Sequence, residues 1–140
     1  MIHQINITVE DETDSIDGCS NINIENLPQI TNGYVQNITF TTLDKIPQKQ
    51  RNVIFIEALK KLARGGSITV RFLNPENICH KVQFGTFSGE QFAALATNVK
   101  SSWTNSDFLS LIYSIPGFDV IKNMQDDVYS IAVIEKANEK

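Results

Sequence analysis

Cysteine is scarce in this 140-residue sequence, and Cys19 and Cys79 form neither a CxxC pair nor a zinc-ligand spacing. We therefore expect two free, buried thiols in a reducing compartment. No apolar run approaches the ~18 residues of a membrane helix, and the N-terminus lacks the basic and then apolar segments of a signal peptide. These absences predict a cytoplasmic protein, made inside the cell, that does not enter the membrane.

Positive charge is also in short supply. Twelve Lys and Arg residues face 16 Asp and Glu residues, so the net charge is -4, and five acidic residues crowd the segment Glu10–Gly18. No stripe of Lys and Arg alternates with aromatic residues, which argues against direct nucleic-acid binding. The acidic segment lacks the alternating ligands and the final glutamate of a calcium loop. We interpret it as a solvated loop.

Motifs that carry catalysis are missing. The two histidines, His3 and His80, have no carboxylate or thiol at metal-ligand spacing, so no metal site is predicted. The sequence contains no Gly-x-Ser-x-Gly elbow and no GxxxxGK[ST] phosphate loop. A serine hydrolase and a P-loop enzyme are therefore both disfavoured.

The most informative stretch runs from Gln50 to Pro75 (QRNVIFIEALKKLARGGSITVRFLNP). Apolar residues at three- and four-residue spacing predict a helix, which Gly65 and Gly66 are expected to end. Ser67–Leu73 then has the β-branched and aromatic residues of a buried strand. A helix, two glycines and an apolar strand in this order are typical of half a βαβ unit whose strand lies in the centre of a parallel sheet. Any ligand would then lie beyond the carboxyl end of that strand, near Phe72–Asn77.

Three strands are predicted before this helix. Ile2–Val9 alternates apolar and polar residues, Cys19–Ile24 is a short strand, and Tyr34–Thr42 follows the turn signal Asn32-Gly33. The local pattern indicates a hairpin about that turn. A short parallel crossover is the alternative, and the pattern does not decide between the two.

The C-terminal half predicts helices and then a hairpin. Glu76–Gly89 is expected to be irregular, and Glu90–Val99 to form a short helix. Thr104–Asp107 matches a capping box before a further helix. Phe118–Met124 and Val128–Glu135 are expected to pair as antiparallel strands. Three aromatic residues in the least regular region, Phe84, Phe87 and Trp103, are either core under a long loop or anchors for a partner.

Four of these segments together resemble a class I S-adenosylmethionine-dependent methyltransferase. NINIENLP is similar to that family's third strand, and NGYVQNITFTTLDKIP to its fourth. EALKKLARGGSITVRFLNP resembles the helix and fifth strand with their "LkpGG" hallmark, and IPGFDVIKN with VYSIAVIEKA resembles the closing strands. The resemblance covers residues 19–135 and implies an α/β fold, a three-layer mixed sheet that ends in an antiparallel hairpin. Residues 1–18 add a strand and the acidic loop, and 136–140 form a frayed tail.

The family's glycine-rich cofactor loop has no counterpart before Gly65. The resemblance is therefore to a truncated, Rossmann-like methyltransferase that is shortened on its cofactor side, with Ile2–Val9 expected to stand in for the lost central strand. If S-adenosylmethionine is bound, the resemblance implies that five residues contact it. Of these, Glu25, Asn26 and Leu27 would flank the adenine, while Thr41 and Thr42 would face the methyl donor. The alternative interpretation is a polar turn and two ordinary strand residues.

Two hypotheses of function follow. The first is a pseudoenzyme, a non-catalytic structural or protein-interaction module without a cofactor, for which a virus-encoded assembly component carried in a virion is a fitting role. The second is a minimal methyltransferase that completes its S-adenosylmethionine site with a partner subunit. Both predict a protein partner or a homo-oligomer. A third possibility, an unrelated α+β domain, would place Tyr34–Thr42 antiparallel to Ser67–Leu73.

Overall fold

The computed structural model describes residues 2–8, 20–83, 85, 88–91, 93, 102–126 and 128–137. A mixed sheet forms its centre, with the spatial order β2-β1-β3-β4-β6-β5. Its six strands are β1 (Ile2–Thr8), β2 (Ser20–Asn23), β3 (Val35–Phe40), β4 (Leu62–Leu73), β5 (Phe118–Asp126) and β6 (Tyr129–Lys136).

In the part of the chain that the structure describes, α-helices and short 3-10 helices lie between the strands. The α-helices are α1 (Gln48–Lys61), α2 (Pro75–Gln83) and α3 (Asn105–Tyr113), and the 3-10 helices are Ile24–Gln29 and Leu43–Lys45. Strands β1 to β4 are mutually parallel, whereas β6 runs antiparallel to both β4 and β5. The predicted α/β class and the closing hairpin are confirmed. The parallel pairing of β3 with β4 also excludes the unrelated α+β domain.

The predicted hairpin about Asn32-Gly33 is wrong, because β1 lies between β2 and β3. The turn instead caps the carboxyl end of α1. The amides of Gly33 and Tyr34 donate to the carbonyl oxygens of Lys60 and Lys61, both at 2.9 Å. The buried Lys61 ammonium in turn donates to Asn32 Oδ1 at 2.8 Å. The two backbone bonds satisfy carbonyl groups that the helix itself leaves unpaired.

Gly65 and Gly66 do not end the helix as predicted. Helix α1 ends at Lys61, and β4 begins at Leu62 and passes through both glycines. Gly65 has φ +77°, a value that favours glycine. A Cβ on Gly66 would lie only 2.6 Å from the Gln36 carbonyl oxygen and 2.8 Å from that of Ala63. The close approach of β3 therefore requires glycine at position 66.

The segment expected to be irregular after Asn74 contains α2. Pro75 occupies its first position, where proline's missing amide costs nothing. The buried Asn74 accepts from the Glu76 amide and donates to Ser130 Oγ, both at 3.0 Å, and so ties the helix start to β6. Cys79 lies exposed on α2, so its predicted burial is wrong. The thiol is exposed because Cys79 lies on the side of α2 that faces solvent.

Several predictions lie outside the described residues or only partly within them. Outside are Cys19, the acidic segment, Phe84, Phe87 and most of the predicted helix between Glu90 and Val99.

The largest core cluster joins one sheet face to α1 and α3. Trp103 is 2% exposed, and its ring centre lies 5.4 Å from that of Phe55 and 5.6 Å from that of Phe72. Phe108 of α3 completes the cluster, with its ring centre 4.7 Å from that of Phe72. Such tilted and edge-on contacts add to the energy of simple burial. Trp103 is therefore core.

Arg51 covers the outer side of this cluster. Its guanidinium carbon lies 4.0 Å from the Trp103 ring centre, and the group donates to the Ser102 carbonyl. Burial lowers the pKa of Arg51, and the nearby Asp107 carboxylate partly opposes that shift. Arg51 thus fastens the chain before α3 onto α1.

The N-cap half of the predicted capping box is present, because Thr104 Oγ1 accepts from the Asp107 amide at 3.1 Å. We expect Thr104→Ala to lower the free energy of unfolding by about 1 kcal/mol, since a capped amide loses its acceptor. Urea unfolding followed by Trp103 fluorescence measures this. Thr104→Ser keeps the acceptor and should retain most of the stability. Equal losses in both variants would show that the methyl group matters rather than the cap.

Candidate functional site

The candidate site is the edge at which the parallel strands β1 to β4 end. The chain continues from β1 to β2 on one side, while β3 lies on the other. The order of strands therefore reverses between β1 and β3. In open α/β sheets, ligands bind outside the carboxyl ends of the strands at such a switch point.

Thr42 spans this switch point. It follows β3, is 2% exposed, and donates its hydroxyl proton to the Ile7 carbonyl of β1 at 3.2 Å. Its single proton is thus used inside the chain, at the place where the resemblance to methyltransferases would put the methyl donor. Thr41 beside it is half-buried. The contact holds the ends of β1 and β3 together.

The position of β2 makes Glu25 of interest. In this chain only β1 lies between β2 and β3. In the usual doubly wound sheet the strand order is 3-2-1-4, so two strands lie between the third and the fourth. The NINIENLP segment therefore stands beside the central strand, where the second strand would be, and β1 takes the central place. Glu25 follows β2 with an exposed side chain, and its amide donates to Asn23 Oδ1 at 3.0 Å. A carboxylate there could accept from ribose hydroxyls.

Asn26 and Leu27 have different surroundings. Asn26 is exposed, whereas Leu27 is 1% exposed and faces α1. Leu27 lines an apolar groove of about 220 Å³ between the first 3-10 helix and α1, together with Ile24, Pro28, Val53, Ile54 and Glu57. Of the five predicted residues, Glu25 and Asn26 therefore face solvent, while Leu27 packs against α1, Thr42 is bonded internally and Thr41 is half-buried.

The described residues do not fit a complete S-adenosylmethionine site. Glu25 offers a carboxylate of the right kind, but the Thr42 hydroxyl is already engaged and Leu27 packs against α1. The segment that follows β1 lies outside the described residues, and its sequence contains a single glycine, Gly18. Gly18 is therefore the one residue of this segment whose missing Cβ would let a cofactor approach the backbone closely.

The described residues contain neither a cluster of metal ligands nor a helix able to span a membrane. In the described part of the chain, no three His, Cys, Asp or Glu side chains come together in a way that could hold a metal ion. His80 is exposed on α2. No helix within the described ranges has the length and hydropathy needed to cross a membrane.

Arg71 is a residue that the sequence pattern did not single out. It interrupts the apolar run of β4 and lies half-buried, with its guanidinium carbon 4.3 Å from the centre of the Tyr129 ring. The available signal was a charged residue inside an otherwise buried strand.

Comparison with known proteins connects this fold to methyltransferases. No protein-family profile and no curated protein matches the sequence. Among solved structures, a SAM-dependent methyltransferase from Archaeoglobus fulgidus is similar with a TM-score of 0.63 at 7% identity, over 96% of this chain and 86% of that one. An O-methyltransferase family protein from Burkholderia thailandensis gives 0.61 at 10% identity, over 86% of this chain and 36% of that one.

A third similar structure is a complex. It contains a putative methyltransferase and the Trm112 methyltransferase activator of Haloferax volcanii, with a TM-score of 0.58 at 12% identity, over 88% of this chain and 64% of that one. The chain therefore spans less than two thirds of the Burkholderia and Haloferax proteins. At such identities the comparison establishes the fold. The chain has the α/β fold of class I S-adenosylmethionine-dependent methyltransferases, as the sequence resemblance predicted.

Proposed function

We propose that this chain is a non-catalytic, methyltransferase-like module that acts by binding another protein or a second copy of itself. The observation that carries the proposal is the hydrogen bond from Thr42 to the Ile7 carbonyl. It bridges the two strands that flank the switch point, where ligands of this architecture usually bind, and it engages the Thr42 hydroxyl proton within the chain. A structural role in a larger assembly, including a virus-encoded one, suits such a module.

A role in protein binding has two further supports. The methyltransferase-fold protein of Haloferax volcanii was solved in complex with an activator protein, so this architecture is compatible with a stable partner. The chain also exposes several large apolar side chains to solvent. They include aromatic residues and a methionine, which are enriched at protein interfaces. They are Tyr34, Val53, Tyr113, Ile121 and Met124.

Isothermal titration of the purified chain with S-adenosylmethionine and with S-adenosylhomocysteine tests the proposal. We expect no binding heat up to millimolar ligand, because the Thr42 hydroxyl is bonded inside the chain, Leu27 packs against α1, and only the Glu25 carboxylate of the predicted contacts offers a charged group to solvent. Size-exclusion chromatography with light scattering, run on the same sample, reports whether the chain self-associates.

Micromolar binding that disappears in Glu25→Ala would overturn the proposal and show that the chain holds a working cofactor site. Glu135→Ala is the matched control, since the Glu135 side chain is exposed and the residue lies opposite Ser67 in the half of β4 remote from the candidate site. Loss of binding in both variants would indicate a general effect of the changed net charge. Loss in Glu25→Ala alone would place the cofactor site at Glu25.

A second candidate function is a minimal methyltransferase that completes its site with a partner subunit. The central position of β1 and the exposed carboxylate of Glu25 at the site edge favour it. If a second copy supplies the missing part, binding heat should appear only at protein concentrations where light scattering shows a dimer. Heat that is independent of association would contradict this candidate.

A further inference from the structure

Arg71 directs its charge toward the carboxyl edge of the sheet. It pairs with Ile131 of β6, and both lie on the face opposite to Phe72 and the aromatic cluster. Its guanidinium stacks on Tyr129, which pairs with Leu73, the last residue of β4. The side chain therefore extends along the strand to the edge where ligands of parallel sheets bind.

The guanidinium has no protein acceptor within the described ranges. Its inner nitrogen, Nε, is buried and lacks a hydrogen-bond partner there. A half-buried arginine usually has a carboxylate or carbonyl partner, because leaving a donor away from water without one is costly. An unsatisfied buried donor in a folded protein calls for an explanation, and a bound ion is one of the recognised ones.

The surroundings hold this guanidinium in place. Tyr129 is fixed through its own carbonyl, which accepts from Asn77 Nδ2 at 3.0 Å, and it packs against Leu73, Ile78 and Val128. An aromatic ring beneath the plane of the guanidinium orients its fork of donors. The site is therefore organised before any ligand arrives.

Charged residues of both signs share the sheet face of Arg71. Lys122 of β5 pairs with Val133, which pairs with Thr69, one row behind Arg71. Asp126 pairs with Tyr129 in the row nearest the carboxyl edge. The donors of Arg71, and not the net charge of this sheet face, would therefore bind an anion.

We propose that Arg71 is a binding residue for an oxyanion, a carboxylate or phosphate group, at the carboxyl edge of β4. The planar fork of arginine matches both groups and can bind either through two parallel hydrogen bonds. This inference goes beyond the proposed function and does not depend on it, because it requires neither S-adenosylmethionine nor catalysis.

The test is a titration of the full chain with sodium acetate and, separately, sodium phosphate, at an ionic strength held constant with sodium chloride. The arginine Nε–H signals are followed by NMR. We expect a saturable shift of the Arg71 signal, while Arg64, exposed on the same strand, serves as an internal reference and shows none. Arg71→Leu should weaken the binding, as seen in the backbone amide signals of β6, by about tenfold or more.

Each outcome of this titration has a defined meaning. Saturation with acetate alone assigns a carboxylate ligand, saturation with phosphate alone assigns a phosphate group, and saturation with both supports a general oxyanion site. The proposal is overturned if Arg71 responds no differently from Arg64. Should Arg71→Leu fail to fold, Arg71→Lys keeps the charge and loses the fork, and unchanged affinity in that variant would also contradict the proposal.

Discussion

Phe72→Ala is expected to lower the free energy of unfolding by about 3–5 kcal/mol, the usual cost of removing a buried aromatic ring. Phe72 is 1% exposed in the central strand β4, and its ring contacts Trp103 and Phe108. Deleting it leaves a cavity between the sheet and both covering helices. Urea unfolding measures the loss, and the emission of Trp103, the single tryptophan, should shift to longer wavelength as water gains access.

Val53→Ala is the matched control. Val53 lies on α1 with 70% of its side chain exposed, so its truncation should change stability by no more than about 0.5 kcal/mol. The pair separates the effect of burial from that of lost side-chain volume. Similar losses in the two variants would mean that the aromatic cluster is not the core of the fold.

Gly66→Ala is expected to cost about 3 kcal/mol, at the upper end of the range for overpacking. The added Cβ would lie 2.6 Å and 2.8 Å from two backbone carbonyl oxygens, of Gln36 and Ala63. Backbone cannot rotate away as a flexible side chain does, so β3 and β4 would have to separate locally. Urea unfolding gives the change in stability, and amide hydrogen exchange in β3 reports the loosening.

Gly89→Ala provides the comparison, because a Cβ at Gly89 meets no atom within 4 Å and its φ is not positive. This variant should be neutral or stabilise by up to about 1 kcal/mol through reduced backbone freedom. A Gly66→Ala protein as stable as Gly89→Ala would refute the close approach of β3 and β4.

Patterns of neighbouring residues determined many of the elements. The alternation in Ile2–Thr8, the apolar run that ends at Leu73 and the closing hairpin all match strands of the structure. The N-cap at Thr104 also matched, because its hydroxyl is bonded to an amide only three residues away. Such features depend on local geometry, which the order of residues specifies directly.

Other features required contacts between distant segments. Asn32-Gly33 is a typical hairpin signal, yet β1 separates the two strands, and the turn serves the end of α1 instead. Gly65 and Gly66 resemble a helix stop, but the approach of β3 explains Gly66. A local pattern cannot report which strand inserts between two others, because insertion depends on the packing of the whole sheet.

The features of the candidate site also fall into two groups, those predicted from the sequence and those that only the structure revealed. The sequence by itself determined the α/β class, the methyltransferase-like order of elements and the lack of a glycine-rich loop at the expected place. Only the tertiary structure decided that Thr42 bonds to Ile7, that Leu27 faces α1, and that Arg71 stacks on Tyr129 without an acceptor in the described residues. Propensity and period act over a few residues, whereas these contacts join positions whose proximity arises only when the sheet assembles.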